Sequence, residues 1–147
     1  MNVHTPRPAT INDAVKELAD TFELLGDWEE RYRYIIDLGH DLEDLRPEER
    51  NDQNKVRGCS SQVWLISRRG DDGTLSFRGD SDAHIVRGLI AILLGFYNGR
   101  TPAEIMAFDA PLALARLGLK KALSRQRANG LASMVERIRA ETLAPSS

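Results

Sequence analysis

Only one part of this chain is patterned as β-structure, and it is too small to stand alone. Val63, Trp64, Leu65 and Ile66 form a short apolar run within residues 61–67, the mark of a strand covered on both faces. Gly70-Asp71-Asp72-Gly73 is a hairpin signal, and residues 74–78 are the expected return strand. Two strands are marginal in water. The remainder of the chain, with or without a further short strand, therefore has to cover them, and it reads as helix.

Ile11, Ala14, Val15, Leu18, Phe22 and Leu25 recur at three- and four-residue steps and so share one helical face. Thr10 is the expected cap, with Asp13 three residues on, and Gly26 the expected stop. Asp27 and Glu30 open a second helix carrying Trp28, Tyr32, Ile35, Ile36, Leu42 and Leu45 on its apolar face, and Pro47 ends it. Residues 46–58 lack apolar runs and contain the turn formers Asn51, Asp52 and Asn54. Ser81 or Asp82 is expected to open a central helix running to about Tyr97. Thr101-Pro102-Ala103-Glu104 combines cap, first-turn proline and capping-box acid. A short element follows over 112–119, and a last helix over 124–142 packs through Leu131, Met134, Val135 and Ile138. The expected class is α+β in one domain over residues 10–143, with a disordered tail over 1–9 and a C-terminal tail over 144–147.

Composition narrows what such a domain can do. The 147 residues, 41% hydrophobic and 29% charged, can bury roughly 70% of their unfolded surface without bridges or metals. A lone cysteine, Cys59, excludes an internal disulfide, a multi-cysteine zinc site and a cluster held by this chain's thiolates alone. The net charge of -2 argues against a dedicated nucleic-acid binder. Residues 1–10 lack an apolar run and carry Pro6 and Pro8, unlike a signal peptide. The most apolar stretch, residues 89–97, is far short of the roughly 20 residues a bilayer needs. A cytoplasmic location is the expectation for a chain with one thiol. Neither a phosphate loop nor a GxGxxG motif nor HxH metal spacing is present.

Chemistry centres on Cys59. It follows Gly58 where a polar loop meets a strand, with Lys55 and Arg57 just upstream. Nearby cations lower a thiol pKa, and the thiolate is the reactive form; the bland alternative is a small buried hydrophobe. A cysteine hydrolase would also need a histidine, from His4 in the tail, His40 in the second helix or His84 at a helix start. Charge is distributed unevenly. Asp41, Glu43, Asp44, Glu48, Glu49 and Asp52 crowd one segment, whereas residues 110–135 hold no acid but carry Arg116, Lys120, Lys121, Arg125 and Arg127. Such asymmetry can steer a protein partner or simply form a solvated face.

The segment Asn54-Lys55-Val56-Arg57-Gly58-Cys59-Ser60-Ser61-Gln62-Val63-Trp64 resembles the signature of SufE-type proteins, sulfur acceptors for cysteine desulfurases, a group that includes CsdE. It departs at Ser60, where glutamine is usual. Residues 82–99, with Arg87-Gly88-Leu89 and Tyr97-Asn98-Gly99, resemble the family's central helix. Residues 101–109, and Leu117-Gly118-Leu119 followed by Ser124 and Arg127-Ala128-Asn129-Gly130-Leu131, match further blocks in order. The resemblance implies a SufE/IscU-like fold, a small curved antiparallel sheet with helices on one side. It implies that Cys59 accepts persulfide sulfur from a SufS- or CsdA-like desulfurase, stimulates that enzyme, and passes sulfur toward an iron–sulfur scaffold. Pyridoxal phosphate would reside in the desulfurase, and no cofactor or metal is expected in this chain, nor nucleic-acid or membrane partners. Lys55, Arg57, Gly58, Ser60, Ser61, Gln62 and Arg127 are the expected supporting residues. Two alternatives stay open on the residues themselves: a thiol enzyme using Cys59 with His40 or His84, and a non-catalytic interaction module.

Overall fold

The computed structural model describes residues 9–144. Residues 1–8 and 145–147, which hold His4 and most of the two expected tails, lie outside the described residues. The first two helices start where the caps predict. Thr10 Oγ1 accepts from Asp13 N at the head of α1 (Ile11–Leu25), and Asp27 Oδ1 accepts from Glu30 N at the head of α2 (Trp28–His40). Gly26 closes α1 with φ 81°. Ile11, Ala14, Val15 and Phe22 are buried as the periodicity requires. Helix α2 stops at His40, short of Pro47; Leu42 and Leu45 instead pack onto the core from an irregular strap, which then makes a single 3-10 turn over Pro47–Glu49.

The hairpin is β1 (Val63–Arg69) paired antiparallel with β2 (Leu75–Ser81), Val63 opposite Ser81 and Arg69 opposite Leu75. Strand β1 starts and ends two residues later than the expected 61–67, and β2 runs three residues past its expected end at Arg78. Gly73, with φ 84°, and the Asp72 carboxylate, accepting from Thr74 N and Oγ1, build the turn between them. In place of a third strand, a single bridge flanks each edge of the hairpin: Lys55 with Trp64, and Leu75 with Arg100. The face bearing Leu65 and Gly79 meets α3 (His84–Tyr97), where a Cβ on Gly79 would lie 2.8 Å from Ile90. The other face is covered at Trp64 by the strap, with the Arg50 guanidinium 5.8 Å from the Trp64 ring centre. This is an α+β fold with the helices on one side of the sheet.

Helix α3 is the hub. Val86, Leu89, Ile90, Leu93, Phe96 and Tyr97 are all buried. Its N-cap is Ala83, without a side-chain cap, because Ser81 is paired in β2 and Asp82 bonds elsewhere. The region expected as one short element is two, α5 (Ala110–Arg116) and α6 (Leu119–Ala122), preceded by α4 (Pro102–Ala107) with its full Thr101/Glu104 capping box. The final helix α7 (Arg125–Leu143) buries Leu131, Met134, Val135 and Ile138 as expected.

Helices α2 and α3 approach through glycine. A Cβ on Gly88 would lie 2.1 Å from Ile35 O, and one on Gly39 would lie 2.6 Å from Gly88 N. These atoms are backbone and cannot swing aside, so the helices would have to separate and leave Ile35, fully buried, poorly packed. Gly88→Ala is therefore expected to cost about 3 kcal/mol, seen as a fall in Tm of roughly 10 °C. A Tm unchanged by thermal denaturation would show that the crossing can slide.

Candidate functional site

Cys59 sits on a loop held at both feet. On the upstream side the Arg137 guanidinium of α7 donates to Gln53 O at 2.7 Å and Lys55 O at 3.0 Å, and its Nε meets Glu141 at 2.8 Å. Asn54 adds Nδ2 to Glu49 O, while its N–H meets Asn51 Oδ1. On the downstream side Gln62 N donates to Asp82 Oδ1 at 3.0 Å and Asp82 N returns to Gln62 O at 3.3 Å. Between these pins Val56 is buried and Gly58 turns the chain at φ 87°. A Cβ on Gly58 would lie 2.5 Å from Ser133 Oγ on α7. Both the positive φ and the close approach favour glycine there.

That turn points the thiol inward. Cys59 is half-buried, and its Sγ donates to Gly130 O of α7 at 3.5 Å. A small cleft of about 10 Å³ adjoins it, lined by Ser60, Ser61 and Val63 of the loop and β1, Val86 and Leu89 of α3, and Gln126, Arg127, Gly130 and Met134 of α7. That is space for about one water-sized body. Burial pushes the Cys59 thiol above its ordinary pKa, and no neighbouring charge opposes it. The low pKa expected from Lys55 and Arg57 is thus not what the fold produces at rest. Sequence proximity put these cations near the thiol along the chain, but folding turned Cys59 inward. Arg57 is exposed, and Lys55 contributes a backbone carbonyl and a bridge to Trp64.

Of the expected supporting residues, Ser60, Ser61 and Arg127 line the cleft with Cys59, and Gly58 forms its turn. Lys55, Arg57 and Gln62 do not line it; the backbone of Gln62 anchors the loop's foot. His40 and His84 pack edge to face, 6.0 Å between ring centres, at the junction of α2 and α3, and neither lines the cleft. No group of three or more metal-ligating side chains occurs among the described residues. Arg137, Asp82 and Gly130 were not visible as site residues in the sequence. Only the four-residue step from Arg137 to Glu141 hinted at an ordered arginine.

The remote charges also resolve. Much of the acidic run is paired, Asp44 with Arg87 and Glu49 with Arg46 and Arg78. Glu49 is held down to about 2 by its hydrogen bond with the Arg78 guanidinium, then by those from Arg46. Arg116, Lys120, Lys121, Arg125 and Arg127 are exposed, and none pairs with a carboxylate among the described residues. Of these cations, Arg127 lines the Cys59 cleft.

The pinned, inward thiol should alkylate slowly, with a rate that rises with pH and a midpoint above the ordinary value near 8.5. Arg137→Ala removes both carbonyl bonds at the upstream foot, worth about 2 kcal/mol to the loop's hold. It should speed iodoacetamide labelling of Cys59 at pH 7 at least roughly fivefold. Labelling as slow as in the parent protein would mean that Arg137 does not govern access.

The chain matches a family model described as the SufE Fe-S metabolism associated domain over residues 16–142. It is 51% identical over 131 residues to an uncharacterized SufE-like protein of Rhizobium etli, covering 87% of this chain and 88% of that one. An uncharacterized SufE-like protein of Rhizobium meliloti is 46% identical over 131 residues, covering 87% and 94% respectively. In structure it is similar to a hypothetical protein from Thermus thermophilus, with TM-score 0.72 over 88% of this chain and 93% of the other. At 17% identity that likeness speaks to the fold alone. With the signature loop around Cys59 and nearly the full length matched, the chain belongs to the SufE family of Fe-S metabolism proteins.

Proposed function

We propose that this protein accepts sulfur on Cys59 from the persulfide of a pyridoxal-phosphate cysteine desulfurase, thereby stimulating that enzyme, and carries it to an iron–sulfur assembly scaffold. The observation that carries the reading is a lone thiol on a doubly pinned loop, directed into a tight cleft, in a chain of the SufE family.

The transfer is an exchange at sulfur. The Cys59 thiolate attacks the outer sulfur of the partner's persulfide, a new S–S bond forms on Cys59, and the old one breaks. Its electron pair leaves with the desulfurase thiolate, so no external oxidant or reductant is needed. The pyridoxal phosphate belongs to the desulfurase, where it releases sulfur from L-cysteine. Removing the persulfide returns that enzyme's thiolate for another turnover, which accounts for stimulation by sulfur transfer itself.

The raised thiol pKa supports a two-state cycle. At rest Cys59 is kept protonated by burial and is a poor nucleophile toward stray electrophiles. On docking the loop leaves its cleft, the thiol loses its proton to solvent or to the partner site, and the thiolate meets the persulfide. Gly58, at positive φ, is suited to that swing. Arg127 lines the cleft, and with the exposed cations Lys120, Lys121 and Arg125 nearby in sequence it suits an acidic docking surface on the desulfurase.

Intact mass after incubation with a SufS- or CsdA-like desulfurase and L-cysteine is expected to rise by one sulfur atom, reversibly with reductant. Cys59→Ser should show no gain and no stimulation; normal stimulation by that variant would overturn the reading. Raising salt from about 0.05 to 0.5 M should slow transfer roughly tenfold if these cations steer docking. A salt-independent rate would remove them from the mechanism.

A further inference from the structure

We propose that Gly130 is a positioning residue for sulfur transfer: its missing side chain leaves the room that the outer sulfur of a Cys59 persulfide occupies. The inference rests on the sulfur-acceptor reading of Cys59 and deepens it. Gly130 lies inside the 19-residue helix α7 and is buried. Glycine there is the poorest helix former after proline, because its backbone loses the most freedom on folding. The resting structure gives no reason for that cost. Helix α7 does not need glycine to approach the loop, since a Cβ at this position would lie 3.6 Å from Cys59 Sγ and 3.8 Å from its Cα and Cβ. These are ordinary contact distances. Alanine would fit beside the thiol as it stands.

A larger occupant changes the account. Persulfidation adds a second sulfur about 2.05 Å beyond Sγ. The space beside Sγ has Gly130, Met134, Val63, Val86 and Leu89 on its apolar side and Ser60, Ser61, Gln126 and Arg127 completing its lining, and amounts to about 10 Å³, one water-sized body. Gly130 is part of this lining and a Cβ there would stand beside Cys59, so a methyl takes room that a second sulfur on Sγ would need. The apolar walls, with Val63, Leu89 and Met134 buried, would shelter a persulfide from water and small thiols until docking opens the loop. Glycine at 130 thus serves the loaded state rather than the resting one.

The test compares Gly130→Ala with the parent protein, loading both with inorganic polysulfide. The Cys59 thiolate attacks a sulfane sulfur, the S–S bond of the polysulfide breaks, and the shortened chain leaves with the electron pair. Gly130→Ala should keep its Tm or raise it by about 2–3 °C, and its resting thiol should react with iodoacetamide within roughly threefold of the parent rate. Its persulfide, followed by intact mass against excess dithiothreitol, should survive at least about tenfold less long, because exchange depends on access. An equal persulfide lifetime would overturn the inference. So would a Tm lowered by several degrees, which would show that glycine serves resting packing, or a parent protein that takes no sulfur from polysulfide. A parallel arm uses a cysteine desulfurase with L-cysteine. A parent that loads from polysulfide but not from the desulfurase fails the proposed function while the role of Gly130 stands. A parent that loads from both, with equal persulfide lifetime in the variant, fails the role of Gly130 alone.

Discussion

Much of this molecule depends on one buried carboxylate. Asp80 has no solvent exposure and stands in the strand opposite Trp64. It accepts from Arg50 at 2.7 Å, from Arg87, and from the backbone N–H groups of Ser81 and Leu45 at 2.8 and 3.4 Å. Burial by itself would raise its pKa, but these hydrogen bonds and the Arg87 charge outweigh it and hold it below the usual carboxylate range. Its contribution to stability is therefore complete above about pH 4 and lost only as pH falls through that depressed value. A buried pair of this kind does not guarantee net stability over an apolar substitute. What it does is fix geometry. Arg87 reaches on to Gly39 O and Leu42 O, so one carboxylate registers β2, α3, the end of α2 and the strap.

The strap is what delivers the site. Arg50 stacks on Trp64 while bonding Asp80, which sets where the chain enters the segment bridged to β1. From there Arg137 and Asp82 hold the two feet of the Cys59 loop. The reactive side chain is thus restrained by groups far away in sequence, yet the segment between the pins is short and glycine-containing. Rigid feet with a pliant turn reconcile a thiol sheltered at rest with one able to enter a partner's active site.

Local chemistry was readable wherever local forces decide. The caps at Thr10, Asp27 and Thr101 formed as their side chains predict, since each bond spans three residues and needs no tertiary help. The helix opened by Ser81 or Asp82 was misplaced for the converse reason. Asp82 spends its carboxylate on Gln62, and Ser81 is taken by the sheet. The strand limits were missed because Arg68, Arg69, Asp80 and Ser81 do not read as β-formers; Arg69 bonds to Thr142 O, and Asp80 to its arginines.

By itself the sequence determined the α+β class, the hairpin and its turn, the core faces of α1 and α7, and Cys59 as the one thiol, carried in a signature specific enough to imply a family. Periodicity, capping and a short motif are local properties, and local properties are written in order along the chain. Only the tertiary structure decided that the thiol faces inward, that Lys55 and Arg57 leave it unassisted, and that Arg127 shares its cleft while His40 and His84 do not. Burial and charge proximity are set by which distant segments pack together. For Cys59 that partner is Gly130 of α7, 71 positions along the chain.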